Sequence, residues 1–328
     1  MKELYPLKFE TICKERIWAG DSLKKLYPAK NIDISNCGET WEISAVQDSI
    51  SVVSNGFLKG NTLQDIIEIY MDELVGETVF DSFGIEFPLL IKFIDTSDLL
   101  SIQVHPNDEV SKKRHNAFGK TEMWYVVQSA QDSELIVGFN KTVSKDTFVE
   151  KLENNKLSEI LNSEKVKKGD VYYLPAGRIH AIGKNLVIAE IQQTSDITYR
   201  IFDWNRFDKN GNPRELHLEL ALDVIDYEKK DNYKSAYNSI ANQSSELVSC
   251  KYFKTNILNF DTIIKKDYSI LDSFIIFITL EGGFSIQYGE DNQKVEVVAG
   301  ETVLLPASLR NIQLTPIGKC SLLEVYID

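Results

Sequence analysis

The chain has 328 residues, of which 43% are hydrophobic and 26% are charged, a composition typical of a soluble globular protein with room for two domains. Its formal net charge of −13 argues against nucleic acid or an anionic membrane as the main partner, and an anionic substrate would need a local cluster of Lys and Arg. Four widely spaced cysteines, strand-sized apolar runs and an N-terminus without signal-peptide character predict a cytoplasmic protein with reduced thiols and no membrane segment.

Hydrophobic periodicity predicts one early helix followed by a series of short strands. Apolar residues recur at helical spacing over Thr62–Leu74, and Asn61 and Thr62 suit a helix cap. The strands predicted after this helix are Phe87–Ile94, Asp98–His105, Thr121–Gln128, Leu135–Phe139, Val171–Leu174, Leu186–Gln192 and Thr198–Phe202. Many short strands separated by turn residues indicate a mostly β protein, a sandwich or barrel, rather than a parallel α/β sheet.

Two more helices and a linker are predicted from the same patterns. Thr142–Ser163 has helical periodicity and is predicted to be a surface insertion, and Leu216–Ile225 is predicted to be a short helix. Lys229–Ser249 is polar and poor in large apolar residues, which is typical of a linker. The strands predicted after it are Tyr252–Phe260, Ser273–Leu280, Phe284–Tyr288, Val295–Val298, Thr302–Leu305, Ile312–Thr315 and Cys320–Ile327.

Polar residues on the strand that ends at His105 predict half of a metal site. Ser101, Gln103 and His105 share one face of this strand, because side chains alternate across a strand. Glu122 begins the next strand, and His180 follows a tight turn much later in the chain. Nitrogen and oxygen ligands in this combination suit a borderline-soft divalent metal, with one position open for water or substrate. Each histidine alone is more often a core or surface residue, but the combined spacing favours the metal.

An internal repeat indicates two copies of one β fold. The segment 169–176 matches the segment 300–307 residue class by residue class, from a glycine through a strand to Pro-Ala. The first copy continues to His180, whereas the second offers no histidine. We therefore predict a metal-binding domain with helical insertions over residues 1–235 and a degenerate domain without metal ligands over residues 236–328.

Several motifs resemble known families. Gly-x5-Pro-x-Gly-x2-His, ending at His180, is similar to the second half of the cupin signature, and Gln-x-His followed by Glu is similar to a variant of the first half. Four blocks resemble the type I mannose-6-phosphate isomerase family in its compact bacterial form: Gly38-Glu39-Thr-Trp41-Glu, Phe87-Pro-Leu-Leu-Ile-Lys92-Phe, Leu100-Ser-Ile-Gln-Val-His-Pro-Asn107 and Lys120-Thr-Glu122-Met-Trp-Tyr. The resemblance extends from about Arg16 to Arg206. It implies two jelly-roll cupin domains with a few inserted helices.

The resemblance also implies a cofactor, a reaction and a set of site residues. It implies one zinc ion per chain and the interconversion of mannose 6-phosphate and fructose 6-phosphate, so that the partner is a small phosphosugar. The implied zinc ligands are Gln103, His105, Glu122 and His180, and the implied catalytic residues are Arg200 and Lys120. The remaining predicted substrate-binding residues are Trp18, Glu39, Lys92, Ser101, Glu190, Asp196 and Arg206. Longer members carry a tyrosine where this chain has Ile182, which affects one edge of the pocket.

Aldose–ketose isomerisation moves a proton between C1 and C2 through a cis-enediol(ate), which requires charge stabilisation and a positioned acid–base group. Arg200 suits the first task, with a surface salt bridge as its alternative role. Lys120 could instead be a solvated lysine of the basic loop before it, and Trp18 could be a core residue. Candidates for the phosphate are Lys92, Ser101, Arg178 and Arg206, and Ser101 is preferred because it shares the ligand face.

Two other functions remain possible from the residues alone. One is a non-catalytic sugar-binding or regulatory cupin with a structural zinc, which would not need Arg200 and Lys120 beside an open ligand set. The other is an iron-dependent cupin oxygenase, which the Gln, Glu and two-His set suits less well than a two-His carboxylate triad. The sequence does not decide whether a lysine, a carboxylate or a metal-bound water carries the proton, and it predicts no oligomeric state.

Overall fold

Antiparallel strands dominate the chain, and the mostly β class predicted from the sequence is confirmed. The computed structural model describes residues 3–207 and 211–328. The strands are β1 (Leu7–Lys8), β2 (Ile12–Glu15), β3 (Cys37–Ile43), β4 (Leu89–Thr96), β5 (Ile102–Val104), β6 (Glu122–Ser129), β7 (Glu134–Phe139), β8 (Leu161–Lys165), β9 (Val171–Leu174), β10 (His180–Ile182), β11 (Leu186–Gln193), β12 (Tyr199–Phe202), β13 (Ser244–Ser249), β14 (Lys254–Phe260), β15 (Ile264–Asp267), β16 (Ile275–Tyr288), β17 (Gln293–Val298), β18 (Thr302–Leu305) and β19 (Asn311–Tyr326). The α-helices are α1 (Ser22–Leu26), α2 (Leu63–Val75), α3 (Glu77–Phe83), α4 (Asp108–His115), α5 (Lys145–Glu153) and α6 (Leu218–Leu222), with short 3-10 turns at Pro28–Lys30 and Leu157–Glu159.

The strands form three sheets. One has six strands in the order β2-β3-β4-β11-β6-β9, and a second has five in the order β12-β5-β10-β7-β8. The third has eight strands in the order β1-β18-β16-β19-β14-β13, with β15 paired to β19 and β17 paired to β16. The first two sheets use residues 12–202, whereas the third uses the C-terminal strands together with β1. None of the helices in the described ranges is long and apolar enough to cross a membrane.

The central strands β3, β4 and β11 of the six-stranded sheet are buried on both faces, which explains the apolar run around Phe87. Ile91 and Phe93 of β4 belong to the large apolar cluster shared with the eight-stranded sheet. Ile94, on the opposite face, belongs to the cluster shared with the five-stranded sheet. Lys92 shares that second face, because side chains alternate across a strand. The polar residue that interrupts the apolar run therefore points between the first two sheets.

Helix α2 confirms the prediction for Thr62–Leu74. Thr62 and Asp65 form a capping box, in which Thr62 Oγ1 accepts from the Asp65 N–H at 3.1 Å and Asp65 Oδ2 accepts from the Thr62 N–H at 3.0 Å. The apolar face of the helix, which includes Leu63, Ile66 and Leu74, is buried in the large apolar cluster. The helical periodicity of this segment therefore reflects one buried face.

The prediction of one helix over Thr142–Ser163 is wrong beyond Glu153. Helix α5 ends at Glu153 with Asn154 as its C-cap, and Asn155 has a left-handed φ of 56°, which asparagine tolerates better than most residues. Strand β8 then begins at Leu161 and pairs with β7. The apolar residues of this second part contact a core made partly by β5 and β12, rather than forming one helical stripe. The predicted helix Leu216–Ile225 is confirmed only over the shorter α6.

The segment Lys229–Ser249 is not the linker that its composition indicates. Tyr233 is buried, and its hydroxyl accepts from the Phe139 N–H at 3.0 Å and donates to the Phe139 carbonyl at 2.9 Å. Lys234 binds the Asp170 carboxylate at 2.8 Å, and the end of the segment is strand β13. The segment therefore packs along the N-terminal sheets before it enters the C-terminal sheet. Strand β1, near the N-terminus, belongs to the C-terminal sheet, since Leu7 pairs with Leu304. Each predicted domain therefore contributes a segment that packs against the other, and the division at residue 235 remains a prediction.

Candidate metal centre and adjoining cavity

Strand pairing brings the four predicted metal ligands together. Gln103 of β5 lies opposite His180, the first residue of β10, while Arg200 of β12 lies opposite Gln103 on its other side. Directly opposed residues on antiparallel strands have Cβ atoms about 5 Å apart. Glu122 comes from β6 of the facing six-stranded sheet. Residues separated by about a hundred positions along the chain therefore meet in one row between two sheets.

The cluster is compact and buried. The His105 Nε2 atom lies 3.5 Å from Glu122 Oε2, and the His180 Nε2 atom lies 3.3 Å from Glu122 Oε1. One ligand atom from each of these three residues falls within 4.8 Å of the other two. The Gln103 side-chain nitrogen is 3.2 Å from His180 Nε2, and rotation of the amide by half a turn would place its oxygen there instead. The geometry could therefore present two imidazoles, a carboxylate and an amide oxygen to one ion.

Hydrogen bonding outside the cluster orients both imidazoles for a cation. The Nδ1 atoms of His105 and His180 lie 2.9 Å from the carbonyl oxygens of Ile197 and Arg178, respectively. A ring that donates from Nδ1 presents the Nε2 lone pair, which is the usual arrangement behind a metal-binding histidine. Burial lowers the pKa of His105 well below its ordinary value and that of His180 to about 4, so both rings are neutral near pH 7.

Polar atoms that lack partners support the same assignment. Among the described residues, neither Glu122 oxygen nor the His105 Nε2 atom has a hydrogen bond of good geometry, although all three atoms are buried and Lys120 forms an ion pair with Glu122 Oε2 at 3.2 Å. Burial raises the pKa of the Glu122 carboxyl to about 7, because a buried carboxylate without enough positive charge is costly. Three acceptors that face one another in a dry site fit a cation, which would satisfy all of them at once.

A cavity of about 340 Å³ adjoins the cluster. The predicted residues on its wall are Trp18, Glu39, Lys92, Ser101, Gln103, Lys120, Glu190, Asp196 and Arg200. The other residues on the wall are Arg16, Ile94, Leu100, Ile182, Thr198 and Arg214. Gln103 belongs both to the cluster and to the wall, so the candidate metal site is reached from this cavity.

Two buried lysines bind carboxylates at the cluster side of the cavity. The Lys120 Nζ atom is 3.2 Å from Glu122 Oε2, and the Lys92 Nζ atom is 3.4 Å from Glu190 Oε1. Trp124 Nε1 donates to the other Glu190 oxygen at 2.7 Å. Burial alone would raise the pKa of Glu190, but Lys92 and Lys120 lower it below its ordinary value. Lys120 is therefore a buried residue of the wall and not a solvated lysine of the preceding loop.

Glu39 fixes one side of the cavity. Arg16 Nε donates to Glu39 Oε1 at 2.8 Å, and Trp41 Nε1 donates to Glu39 Oε2 at 2.8 Å. Burial alone would raise the pKa of Glu39, but the positive charges of Lys92 and Arg16 lower it to about 2. Glu39 therefore remains a carboxylate over the physiological pH range and holds Arg16 at the cavity. Arg16 was not predicted as a site residue.

Arg200 and Arg214 line another part of the wall. Arg200 Nη1 donates to the Glu215 carbonyl at 2.8 Å, while its buried Nε has no hydrogen-bond partner among the described residues. Arg214 is held by Asp203, whose Oδ2 accepts from Arg214 Nε at 2.6 Å. Burial lowers the pKa of Arg200, and the positive charges of Arg214 and Arg206 lower it further. Arg214 was missed because it belongs to no predicted strand.

Two arginines proposed for the phosphate lie elsewhere. Arg206 is absent from the described cavity wall, and its guanidinium binds Asp203 Oδ1 at 2.6 Å and the Leu99 carbonyl. The Arg178 guanidinium lies 5.1 Å from the ring centre of Tyr233 and also has no place on that wall. Because these partners occupy both side chains, the structure brings neither of them to the cavity. Arg206 nevertheless shares Asp203 Oδ1 with the wall residue Arg214, and its assignment to the substrate remains a prediction.

Comparison with known proteins identifies the family. A family model described as phosphomannose isomerase type I, catalytic domain, matches residues 7–160. The mannose-6-phosphate isomerase ManA of Bacillus subtilis is 35% identical over 318 residues, which cover 96% of this chain and 97% of that protein. The mannose-6-phosphate isomerase of Streptococcus mutans is 32% identical over 94% of each chain. The crystal structure of a mannose 6-phosphate isomerase from Bacillus subtilis superposes with a TM-score of 0.88 at 31% identity and covers 98% of this chain and 99% of that one. The chain therefore belongs to the type I phosphomannose isomerase family and is an isomerase of the cupin fold.

Proposed function

We propose that the protein is a zinc-dependent aldose–ketose isomerase that interconverts mannose 6-phosphate and fructose 6-phosphate. The observation that carries this proposal is the cluster of His105, Glu122 and His180, which opens through Gln103 into a cavity lined by cations. The names of the curated relatives support the substrate, because they match this chain over nearly its whole length. Two imidazoles with two oxygen ligands support zinc among the common divalent metals.

The charge of the cavity suits a phosphosugar, although the chain as a whole carries −13. The cations on the wall are Arg16, Lys92, Lys120, Arg200 and Arg214, and the carboxylates on it are Glu39, Glu190 and Asp196. Five cations against three carboxylates leave two positive charges in excess on the wall itself, and the carboxylates of Glu122 and Asp203, which bind Lys120 and Arg214, balance them. A bound divalent cation would therefore give the site a net positive charge that attracts an anionic substrate, whereas the rest of the surface repels it.

The residues divide into a reacting end and a phosphate end. When zinc is bound by Gln103, His105, Glu122 and His180, it would polarise the sugar carbonyl as a Lewis acid. The position of Arg200 directly across the strand pair from Gln103 supports a role for its guanidinium in stabilising negative charge on the enediolate oxygens.

Lys120 adds a second positive charge beside Glu122. We assign Ser101 and Arg214 to the phosphate, because both are on the wall and Asp203 holds the Arg214 guanidinium in place.

The remaining wall residues position the others. Glu190 holds Lys92, and Glu39 holds Arg16, in each case through a buried carboxylate. Trp18 is only 3% exposed and closes the cavity beside them, where a flat apolar surface can contact the carbon face of a sugar. Asp196 completes the wall near Lys120, whose pKa it helps to raise.

A coupled assay tests the proposal. Fructose 6-phosphate formed from mannose 6-phosphate is measured with the purified protein, then after chelation, and again after zinc is returned. We expect turnover to be lost on chelation and restored by zinc. Absence of turnover from fully zinc-loaded protein would refute the isomerase function and would leave a sugar-binding role. Turnover that persists after complete metal removal would refute only the metal-dependent part.

A further inference from the structure

A pair of cysteines lies on the ribbon formed by β2 and β3, outside the proposed metal site. β2 is the edge strand of the six-stranded sheet, and in its pairing with β3 Cys13 lies opposite Thr40 while Glu15 lies opposite Cys37. Cys13 and Glu15 are two apart on β2 and share a face, so Cys37, which lies opposite Glu15 across a β-bulge, is a diagonal neighbour of Cys13 on that face. Both side chains pack in the large apolar cluster, where Cys37 is buried and Cys13 partly buried.

The two thiols differ in accessibility and in acidity. Cys13 is partly exposed, whereas Cys37 is 5% exposed. The adjoining Cys37 thiol lowers the pKa of Cys13 to about 7, and the adjoining Cys13 thiol together with burial raises the pKa of Cys37. Burial raises the pKa of Cys250 and of Cys320. Because the thiolate is the reactive form, Cys13 is the nucleophile favoured by both its access to solvent and its ionisation.

We propose that Cys13 and Cys37 form a redox-active dithiol that is oxidised by low-molecular-weight disulfides. The Cys13 thiolate attacks one sulfur of the small disulfide, which forms a mixed disulfide and releases one small thiolate. Cys37 then loses its proton and attacks the Cys13 sulfur, which forms the Cys13–Cys37 bond and releases the second small thiolate. Two protein thiols are thereby oxidised, and one small disulfide is reduced to two thiols.

The position of the pair connects it to the cavity. Arg16 directly follows β2, and Glu39 lies on β3 two residues after Cys37. The Cys37 sulfur is 3.4 Å from the Glu39 carbonyl oxygen, and Glu39 in turn holds Arg16 at the cavity wall. The modification site therefore lies on the ribbon that carries two wall residues. The proposed chemistry does not depend on the isomerase function and can be tested without a sugar.

The test uses the full-length protein and oxidised glutathione as the small disulfide. Free thiols are then alkylated, and the product is examined by intact mass and by peptide mapping without reduction. We expect a loss of two hydrogen atoms, a cross-link between the peptides containing Cys13 and Cys37, and full reversal by dithiothreitol. The Cys37→Ser variant should instead retain a glutathione adduct at Cys13, because no second thiol displaces it.

The matched control is the double variant Cys250→Ser/Cys320→Ser, which should form the same cross-link as the unmodified sequence. The Cys13→Ser variant should form neither the cross-link nor an adduct at Cys37. The proposal would be overturned if the unmodified protein yields no Cys13–Cys37 cross-link under conditions that modify Cys250 or Cys320. It would also be overturned if the Cys37→Ser variant acquires no adduct at Cys13.

Discussion

Replacement of Arg200 by lysine tests the proposed reacting end while it keeps the positive charge. Arg200 donates one side-chain hydrogen bond, from Nη1 to the Glu215 carbonyl, and forms no ion pair within 4.0 Å in the described ranges. Loss of one such bond lowers the free energy of unfolding by about 1 kcal/mol, so the variant should fold. The backbone at this position is fixed by pairing with Gln103 and by the Arg200 N–H, which donates to His217 Nδ1 at 3.2 Å.

The catalytic effect of the same change should be much larger. A lysine cannot reproduce the planar guanidinium fork, and removal of one preorganised donor to a developing oxyanion costs about 3–4 kcal/mol, which is roughly a 10²–10³-fold loss of kcat. The assay is steady-state isomerisation with metal content and urea unfolding measured on the same sample. Arg114→Lys is the matched control, because Arg114 binds the exposed Asp223 away from the cavity and should keep full activity. A kcat loss of less than about tenfold, or about 1.4 kcal/mol, with intact metal content would show that Arg200 does not stabilise the reacting oxygens.

Three further changes probe the metal, the second cation and a buried acid. Glu122→Gln should leave the protein with less than one bound metal ion per chain, as measured by elemental analysis. Chelation of the unmodified protein should lower its free energy of unfolding by about 4 kcal/mol, if the free metal concentration before chelation exceeded the dissociation constant 1,000-fold. Lys120→Met should lower kcat by roughly 100-fold at unchanged metal content, and a change in KM alone would assign Lys120 to binding instead. Burial raises the pKa of Asp95 from 3.8 to about 6, so the folded state holds its proton more tightly than the unfolded chain and stability is lost as the pH rises from about 4 to 6. Asp95→Asn should therefore gain about 1–1.5 kcal/mol of unfolding free energy relative to the unmodified protein between pH 5 and pH 8, whereas a pH-independent difference would mean that Asp95 has an ordinary pKa.

The metal cluster could be predicted because its signal is local. Gln103 lies on β5 and His105 directly follows this strand, and the alternation of side chains along an extended backbone places the two on the same face. The turn before His180 is marked by Pro175, whose ring fixes φ, and by Gly177, which adopts a positive φ of 88° that other residues avoid, so the turn can be recognised in the sequence. The pairing of His180 with Gln103 is different, because it depends on the order of strands in a sheet. Only the resemblance to a known family supplied that information in advance.

The residues that were missed depend on contacts distant in sequence. Arg16 is held at the wall by Glu39. Glu39 lies on β3, which is completely buried although its sequence contains charged residues. Arg214 reaches it through Asp203, from a segment without hydrophobic periodicity. The segment Lys229–Ser249 was misread for the converse reason, since a single buried tyrosine, Tyr233, holds a polar segment against the sheet. The composition of a segment cannot predict these contacts, because the partner of each residue lies far away in the sequence and is brought close only by the fold.

Strand register also explains why the C-terminal half holds no comparable cluster. Gly169 and Gly300 have φ values of 90° and 87°, and each precedes one copy of the repeated strand, β9 or β18. In the first copy Leu174 lies opposite Glu122, whereas in the second copy Leu305 lies opposite Ile275.

The residue five positions after the repeated proline is His180 in the first copy and the exposed Asn311 in the second. The buried Ile275 therefore occupies the position that corresponds to the carboxylate ligand Glu122. Its side chain packs in an apolar core, whereas a bound cation would need a negatively charged ligand at this position. This correspondence supports our prediction of a second, degenerate domain without metal ligands, which contributes the large apolar surface against which the six-stranded sheet packs.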